Sequence, residues 1–304
     1  MSADPRRPFG RVLTAMVTPF GADGSLDLKG AQKVAEHLVD VGGNDGLIVN
    51  GTTGEAPTMS DAEKESVLRA VIEAVGDRAT IVAGAGNNDT HHSIDLVRTA
   101  EKAGADGVLI VSPYYNKPPQ AGLVRHVRTL ADASDLPVML YDIPHRTGVA
   151  FATETLIELA EHPRVLAVKD AKGDLAASAE VLANTDLAYY SGDDVLTLPL
   201  LSVGAVGVVS VTGHLVAPRI RQMIEAFERG DVAAATALHH GMLPVDVGIF
   251  RTQAAILTKA AYNILGLPGG SVRSPLVDAT PEQIETLRAD LARGGVELGD
   301  KEVA

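Results

Sequence analysis

The chain has 304 residues, 46% of them hydrophobic, with 26 Lys plus Arg set against 39 Asp plus Glu for a net charge of −13. That is ample apolar material for a large core, and an acidic balance without any basic run excludes nucleic acid and anionic membrane as expected partners. The absence of cysteine removes disulfides, thiolate metal sites and cysteine nucleophiles together, and is compatible with a reducing compartment.

The N-terminal "MSADPRRPFG" has two arginines but no apolar stretch behind them, so it does not read as a secretory signal. Short β-rich apolar runs then recur: "VLTAMVT" from Val12, "GLIVNG" from Gly46, "TIVAGAG" from Thr80, "GVLIVSP" from Gly107 and "PVMLYD" from Pro137. "VLAVKD" from Val165, "LAYYSG" from Leu187 and "AVGVVSV" from Ala205 complete a set of eight. Helical stretches separate them. Ser60 and Glu63 form an S-x-x-E capping box, Val67, Leu68, Val71, Ile72 and Val75 follow at helical spacing, and Gly76 stands where a left-handed C-terminal cap is expected. "AGLVRHVRTLA" repeats the pattern with Leu123, Val124, Val127 and Leu130.

From Val195 to Pro218 no Asp, Glu, Lys or Arg occurs, about the length of a bilayer crossing. Pro199, Gly204, Gly207 and Gly213 divide it, so it reads as a buried helix followed by a buried strand. After Val211 the pattern is helical through residue 265, with one more helix near residues 281–292. Alternating strands and helices predict a closed (β/α)₈ TIM barrel over residues 1–214 and a C-terminal helical region over 215–304. An open doubly wound sheet is the competing architecture. Its only candidate phosphate loop, "GAGNND" at residues 84–89, lacks the third glycine of the dinucleotide fingerprint.

In "VLAVKD", Lys169 ends a run that reads as buried on both faces, where a cation is normally excluded. A lysine at a strand end reaching water, or pairing with Asp170, is the ordinary account. Its company argues otherwise. Barrel enzymes build their sites from the C-terminal ends of the strands. In this sequence "NGTTGE" (50–55), "SPYYNKP" (112–118), "YDIPHRTG" (141–148), Lys169 and "SGDD" (191–194) all fall at such ends. Each taken singly is as well explained as a turn, a surface loop or a helix start. Together they place Thr52, Thr53, Tyr141, Arg146, Lys169 and Gly192 around one barrel mouth.

The set makes chemical sense. Desolvation lowers a lysine's pKa and leaves free amine to attack a carbonyl and form a Schiff base. The imine is then an electron sink, so a neighbouring carbon loses a proton without metal or organic cofactor. Tyr141, one strand away, is the candidate acid and base, with Thr52 and Tyr115 as relays. A 2-oxo acid's carboxylate suits Thr53 and the N–H groups of the "GTTGE" turn, and Arg146 suits a second carboxylate.

In "AMVTPF", "GTTGE", "PYYNKP", "YDIPHRTG", "VKDAKGD" and "SGDD", in this order and spacing over nearly the whole chain, the sequence resembles the pyruvate-dependent class I aldolase family that includes dihydrodipicolinate synthases and N-acetylneuraminate lyases. The resemblance implies Lys169 as the Schiff-base lysine, Tyr141 as proton donor and acceptor, and Thr52 as relay threonine. Tyr115 would be a relay tyrosine lent by a neighbouring subunit. Thr53 and the backbone at Val209 would contact pyruvate, Gly192 would belong to the substrate-binding set, and Arg146 would hold the second substrate's carboxylate. Arginine in "YDIPHRTG" favours L-aspartate 4-semialdehyde as that substrate, on the route to diaminopimelate and lysine, in a cytoplasmic homotetramer. A related aldolase acting on a sugar acid is the alternative within the family.

Many such synthases are inhibited by lysine beside the "GTTGE" segment. Here Ala56, Asp61, Lys64 and His92 stand where a serine, two histidines and a glutamate are expected, while Asn88 and Tyr114 remain compatible. Weak or absent inhibition follows. Two other classes of answer are less well supported. A catalytically silent 2-oxo-acid-binding barrel has no need of both Lys169 and Tyr141. A metal-dependent aldolase needs converging ligands, whereas His91 with His92 and His239 with His240 are adjacent pairs whose members point apart on a helix.

Overall fold

Eight parallel strands close into a barrel in chain order, each paired with the next and the last with the first. The computed structural model describes residues 6–298, so the first five residues of the N-terminal stretch lie outside it. The strands are β1 (Val12–Ala15), β2 (Gly46–Val49), β3 (Thr80–Gly84), β4 (Gly107–Val111), β5 (Val138–Asp142), β6 (Val165–Asp170), β7 (Ala188–Ser191) and β8 (Gly207–Ser210). Each lies inside one of the eight apolar runs. Interleaved are helices α1 (Leu28–Glu36), α2 (Asp61–Val75), α3 (Thr90–Ala103), α4 (Gln120–Ala131), the single turn α5 (Pro144–Thr147), α6 (Thr153–Ala160), α7 (Leu175–Asn184) and the short α8 (Thr197–Leu201). Four more helices follow β8: α9 (Gly213–Glu228), α10 (Val232–Ile249), α11 (Ala254–Ile264) and α12 (Pro281–Arg293).

The residues dictate this locally. Ser60 caps α2 with the expected box, its hydroxyl accepting from the Glu63 N–H at 3.3 Å while the Glu63 carboxylate accepts from the Ser60 N–H at 2.9 Å. Such a cap stabilises a helix by about 1 kcal/mol. Gly76 departs from expectation: it closes α2 in right-handed conformation, φ −65°. Its role is space, since a Cβ there would come within 2.6 Å of the Ile72 carbonyl oxygen. The uncharged stretch from Val195 divides as its Pro and Gly residues suggest, into α8, β8 and the start of α9. No helix among the described residues is long and apolar enough to cross a membrane.

Alternation along each strand sorts the core. Inward residues such as Leu13, Ile48, Val82, Leu109, Met139, Ala167 and Val209 fill the barrel, while outward ones meet the helices. A third cluster joins Val12 and Val208 to α9–α12. Each fully buried Leu, Ile or Val contributes roughly 1.5–3 kcal/mol, which makes the polar exceptions in these layers expensive and worth examining.

Candidate active site

Lys169 is the largest exception. Because Ala167 faces the barrel interior, Lys169 two residues on faces it as well, with only 4% of its surface exposed. In the sheet it stands directly beside Tyr141 of β5 and Tyr190 of β7. Its Nζ lies 4.2 Å from the centre of the Tyr141 ring, and Tyr141 is 5% exposed. The lysine therefore stands one residue before the end of its strand, buried inside the barrel, and does not reach out to water.

Burial shifts both groups toward their neutral forms. Removal from water brings the Lys169 amine down to about 8; the nearby Asp194 carboxylate opposes this and the Arg146 guanidinium reinforces it. Burial pushes the Tyr141 phenol up to about 12, against the pull of Arg146 and of the Thr52 hydroxyl, which approaches the phenol, while Asp193 adds to the rise. Near neutrality, a usable share of free amine thus faces a phenol that keeps its proton. A nucleophile beside an acid is what carbonyl addition requires. Asp194 is pinned in turn, accepting from the Ser210 hydroxyl and from the N–H groups of Val211 at 3.0 Å and Thr212 at 3.2 Å.

Thr52 and Thr53 lie on the turn that leaves β2, Thr53 buried and Thr52 half-buried. Val209 is fully buried on the inner face of β8. Gly192 directly follows β7, where its N–H donates to the Asp170 carbonyl at 2.7 Å. A Cβ at that position would meet Lys169 Cγ at 3.0 Å and the Asp170 carbonyl oxygen at 3.1 Å, so the glycine leaves room for the lysine stem. Arg146 sits exposed on α5 and lines, with Thr52 and Tyr141, one cavity of about 610 Å³. Tyr115 is not gathered with them. It is 89% exposed, with φ +74°, and does not line that cavity.

The same cavity continues past Ala56, Asp61, Lys64, His92 and Tyr114. There the Asp61 carboxylate bonds the His92 ring at 2.7 Å and Lys64 at 3.3 Å, so the cationic and anionic side chains satisfy one another. Asn88 contributes its carbonyl to the Asn116 side-chain amide at 2.8 Å. The four histidines considered above as metal ligands lie at the start of α3 and inside α10. Among the described residues no group of three His, Cys, Asp or Glu is placed to hold a metal ion.

Comparison with known proteins identifies the family. The model of the dihydrodipicolinate synthetase family matches residues 8–293. This chain belongs to that family. Among its relatives, the 4-hydroxy-tetrahydrodipicolinate synthase of Acidothermus cellulolyticus is 65% identical, covering 95% of this chain and 93% of the relative. 4-Hydroxy-tetrahydrodipicolinate synthase 2 of Streptomyces coelicolor is 61% identical over 98% of this chain and 99% of its own. A crystal structure of the Cyanidioschyzon merolae dihydrodipicolinate synthase with lysine bound superposes with a TM-score of 0.93 at 44% identity, covering 95% of this chain and 99% of that one.

Membership in the dihydrodipicolinate synthetase family accounts for the motifs, but two buried groups had no sequence reading of their own. Asp194 was visible only as part of "SGDD", and the hydrogen bonds that fix it come from β8 and the residues after it. Glu55 stands in the sequence only as the last letter of "GTTGE". Its carboxylate accepts from Lys259 Nζ at 2.5 Å, from a position 204 residues away. The clue in hand was a lone lysine among the apolar residues of "AAILTKAAYNI".

Proposed function

We propose that this chain is a 4-hydroxy-tetrahydrodipicolinate synthase, condensing pyruvate with L-aspartate 4-semialdehyde in the biosynthesis of diaminopimelate and lysine. The observation that carries the reading is the Lys169 amine, depressed to about 8 by burial, held 4.2 Å from the ring of the still-protonated Tyr141.

In this reading the free amine adds to the keto carbon of pyruvate, and loss of water gives an imine on Lys169. The methyl carbon then gives up a proton, and the enamine attacks the aldehyde carbon of the second substrate, whose oxygen takes a proton from Tyr141. The semialdehyde's own amine displaces Lys169 from the former keto carbon, closing the ring and freeing the enzyme. Thr52 relays protons between Tyr141 and Tyr115. Thr53 and the backbone at Val209 receive the pyruvate carboxylate, Gly192 gives the lysine stem its room, and Arg146 receives the carboxylate of the semialdehyde. The imine is itself the electron sink, so the chemistry calls on no cofactor.

The exposure of Tyr115 supports a homo-oligomer in which this side chain completes a neighbour's site, in a dimer of dimers. The biosynthetic role carries a cytoplasmic location with it. Borohydride reduction in the presence of pyruvate, read by mass spectrometry, tests the imine on Lys169. A coupled assay that compares the semialdehyde with N-acetylmannosamine and glyceraldehyde tests the second substrate. Turnover of either alternative without the first would overturn the assignment.

A further inference from the structure

We propose that Lys259, through its ion pair with Glu55, is a positioning residue for the proton relay, a clamp by which the C-terminal helices set where Thr52 stands. The proposal rests on the reading of Thr52 as relay and goes beyond it to what fixes the relay in place. Glu55 ends the turn that carries Thr52 and Thr53, and its N–H donates to the Thr52 carbonyl at 3.1 Å. It is a non-glycine residue held at φ +57°, in the left-handed region. Such a conformation persists where its surroundings over-determine it.

Those surroundings come from the far end of the chain. Glu55 Oε1 accepts from Lys259 Nζ at 2.5 Å and Oε2 from the Arg273 N–H at 2.8 Å, while Lys259 also donates to the Ser271 carbonyl at 2.8 Å. Both side chains of the pair are 2% exposed. Lys259 Nζ and the Arg273 guanidinium lie 4.4 Å and 4.1 Å from the centre of the Phe20 ring, and Arg273 donates to the Gly24 and Thr58 carbonyls. The turn is also pressed against the segment that leaves β1: a Cβ on Gly54 would meet the Met16 carbonyl at 3.0 Å and the Thr18 hydroxyl at 3.1 Å.

The turn is thus held by both the segment after β1 and the C-terminal region, through Lys259 of α11 and Arg273 beyond it. A buried ion pair adds little net stability over an apolar pair of the same volume, but loss of one partner leaves an uncompensated charge that forces local rearrangement. With Lys259 removed, Glu55 swings toward water and drags Thr52 from the phenol it serves. Small misplacements of a catalytic hydroxyl are costly to rate.

The test is a cycle on the full-length enzyme: wild type, K259M, T52V and T52V/K259M, with kcat and both KM values measured at equal folded content by circular dichroism. K259M is expected to lower kcat about tenfold or more while KM for the semialdehyde stays within about threefold, and the double variant to be no more than about twofold slower than T52V alone. Wild-type kcat in K259M overturns the clamp, as do losses that multiply in the double variant, because both show that Lys259 does not act through Thr52. A wild type unable to turn over pyruvate with the semialdehyde overturns the functional reading and the clamp together. Should K259M not fold, E55Q takes its place in the cycle, since it keeps the acceptor for the Arg273 N–H while removing the charge, and the same outcomes decide.

Discussion

Methionine at position 169 is expected to abolish the chemistry and to strengthen the fold. Burial brings the Lys169 amine from 10.5 to about 8, so the folded protein holds this proton less tightly than the unfolded chain does, and below pH 8 both states carry it. Linkage turns that difference into about 3 kcal/mol against the folded state at neutral pH. Between about 8 and 10.5 the unfolded chain binds more protons, so stability rises with pH across that window and the penalty is gone above it; near pH 9.5 roughly 1 kcal/mol of it remains. Methionine is close to lysine in length and leaves no large void, and Asp194 keeps its three hydrogen bonds from β8 and the residues after it. For a chain of 304 residues, about 3 kcal/mol corresponds to a rise in Tm of about 5 °C. Calorimetry or urea unfolding of wild type and K169M at about pH 6.5 and 9.5 measures it. A variant no more stable than wild type at the lower pH, or an advantage undiminished at the higher, refutes the idea that this amine is held at the expense of stability.

The rate of imine formation with pyruvate is expected to climb with pH and level off above about 8, as the free-amine fraction of Lys169 saturates; stopped-flow measurement of pyruvate binding follows it. Loss of the Arg146 guanidinium in R146A is expected to lower kcat/KM for the semialdehyde by about tenfold to a hundredfold while pyruvate is still trapped by borohydride, because a charge-assisted carboxylate contact contributes about 1.5–3 kcal/mol. Millimolar lysine is expected to leave the rate nearly unchanged, since Asp61 already engages Lys64 and His92; a conventional inhibition curve decides. Y115F is expected to reduce kcat in the assembled enzyme, and dilution of the wild type until it dissociates to reduce it similarly, read by activity alongside analytical ultracentrifugation.

What could be read from the sequence was local, and what escaped it was distant. The eight strands announce themselves because a strand buried on both faces must be continuously apolar, and Lys169 is conspicuous for the same reason: four apolar residues precede it. Tyr141 lies in a comparable run on the neighbouring strand. The partnership of Glu55 and Lys259 leaves only half a trace, a lone lysine in an apolar helix with no sign of its partner. Nothing within a few residues of either tells that 204 positions of chain fold back to join them. Gly76 shows the limit at short range, because a glycine at a helix end is equally well explained by handedness and by crowding, and only the approach of the Ile72 carbonyl distinguishes the two. Tyr115 shows another limit: its exposure concerns a surface, and a surface's partner is written in no single run of residues.

Tyr141 and Lys169 occupy paired rungs of β5 and β6, so the spacing between phenol and amine is set by the sheet's own hydrogen bonds. The side chains that would greet the aldehyde, by contrast, hang on the loops above, as Arg146 does on a single helical turn. The amine and phenol are therefore fixed by the sheet, whereas the arginine proposed to select the aldehyde is fixed only by a loop. If the proposed roles hold, a lineage, or an engineer, can rewrite the Arg146 loop to accept another aldehyde while the Lys169–Tyr141 pair stays untouched beneath it.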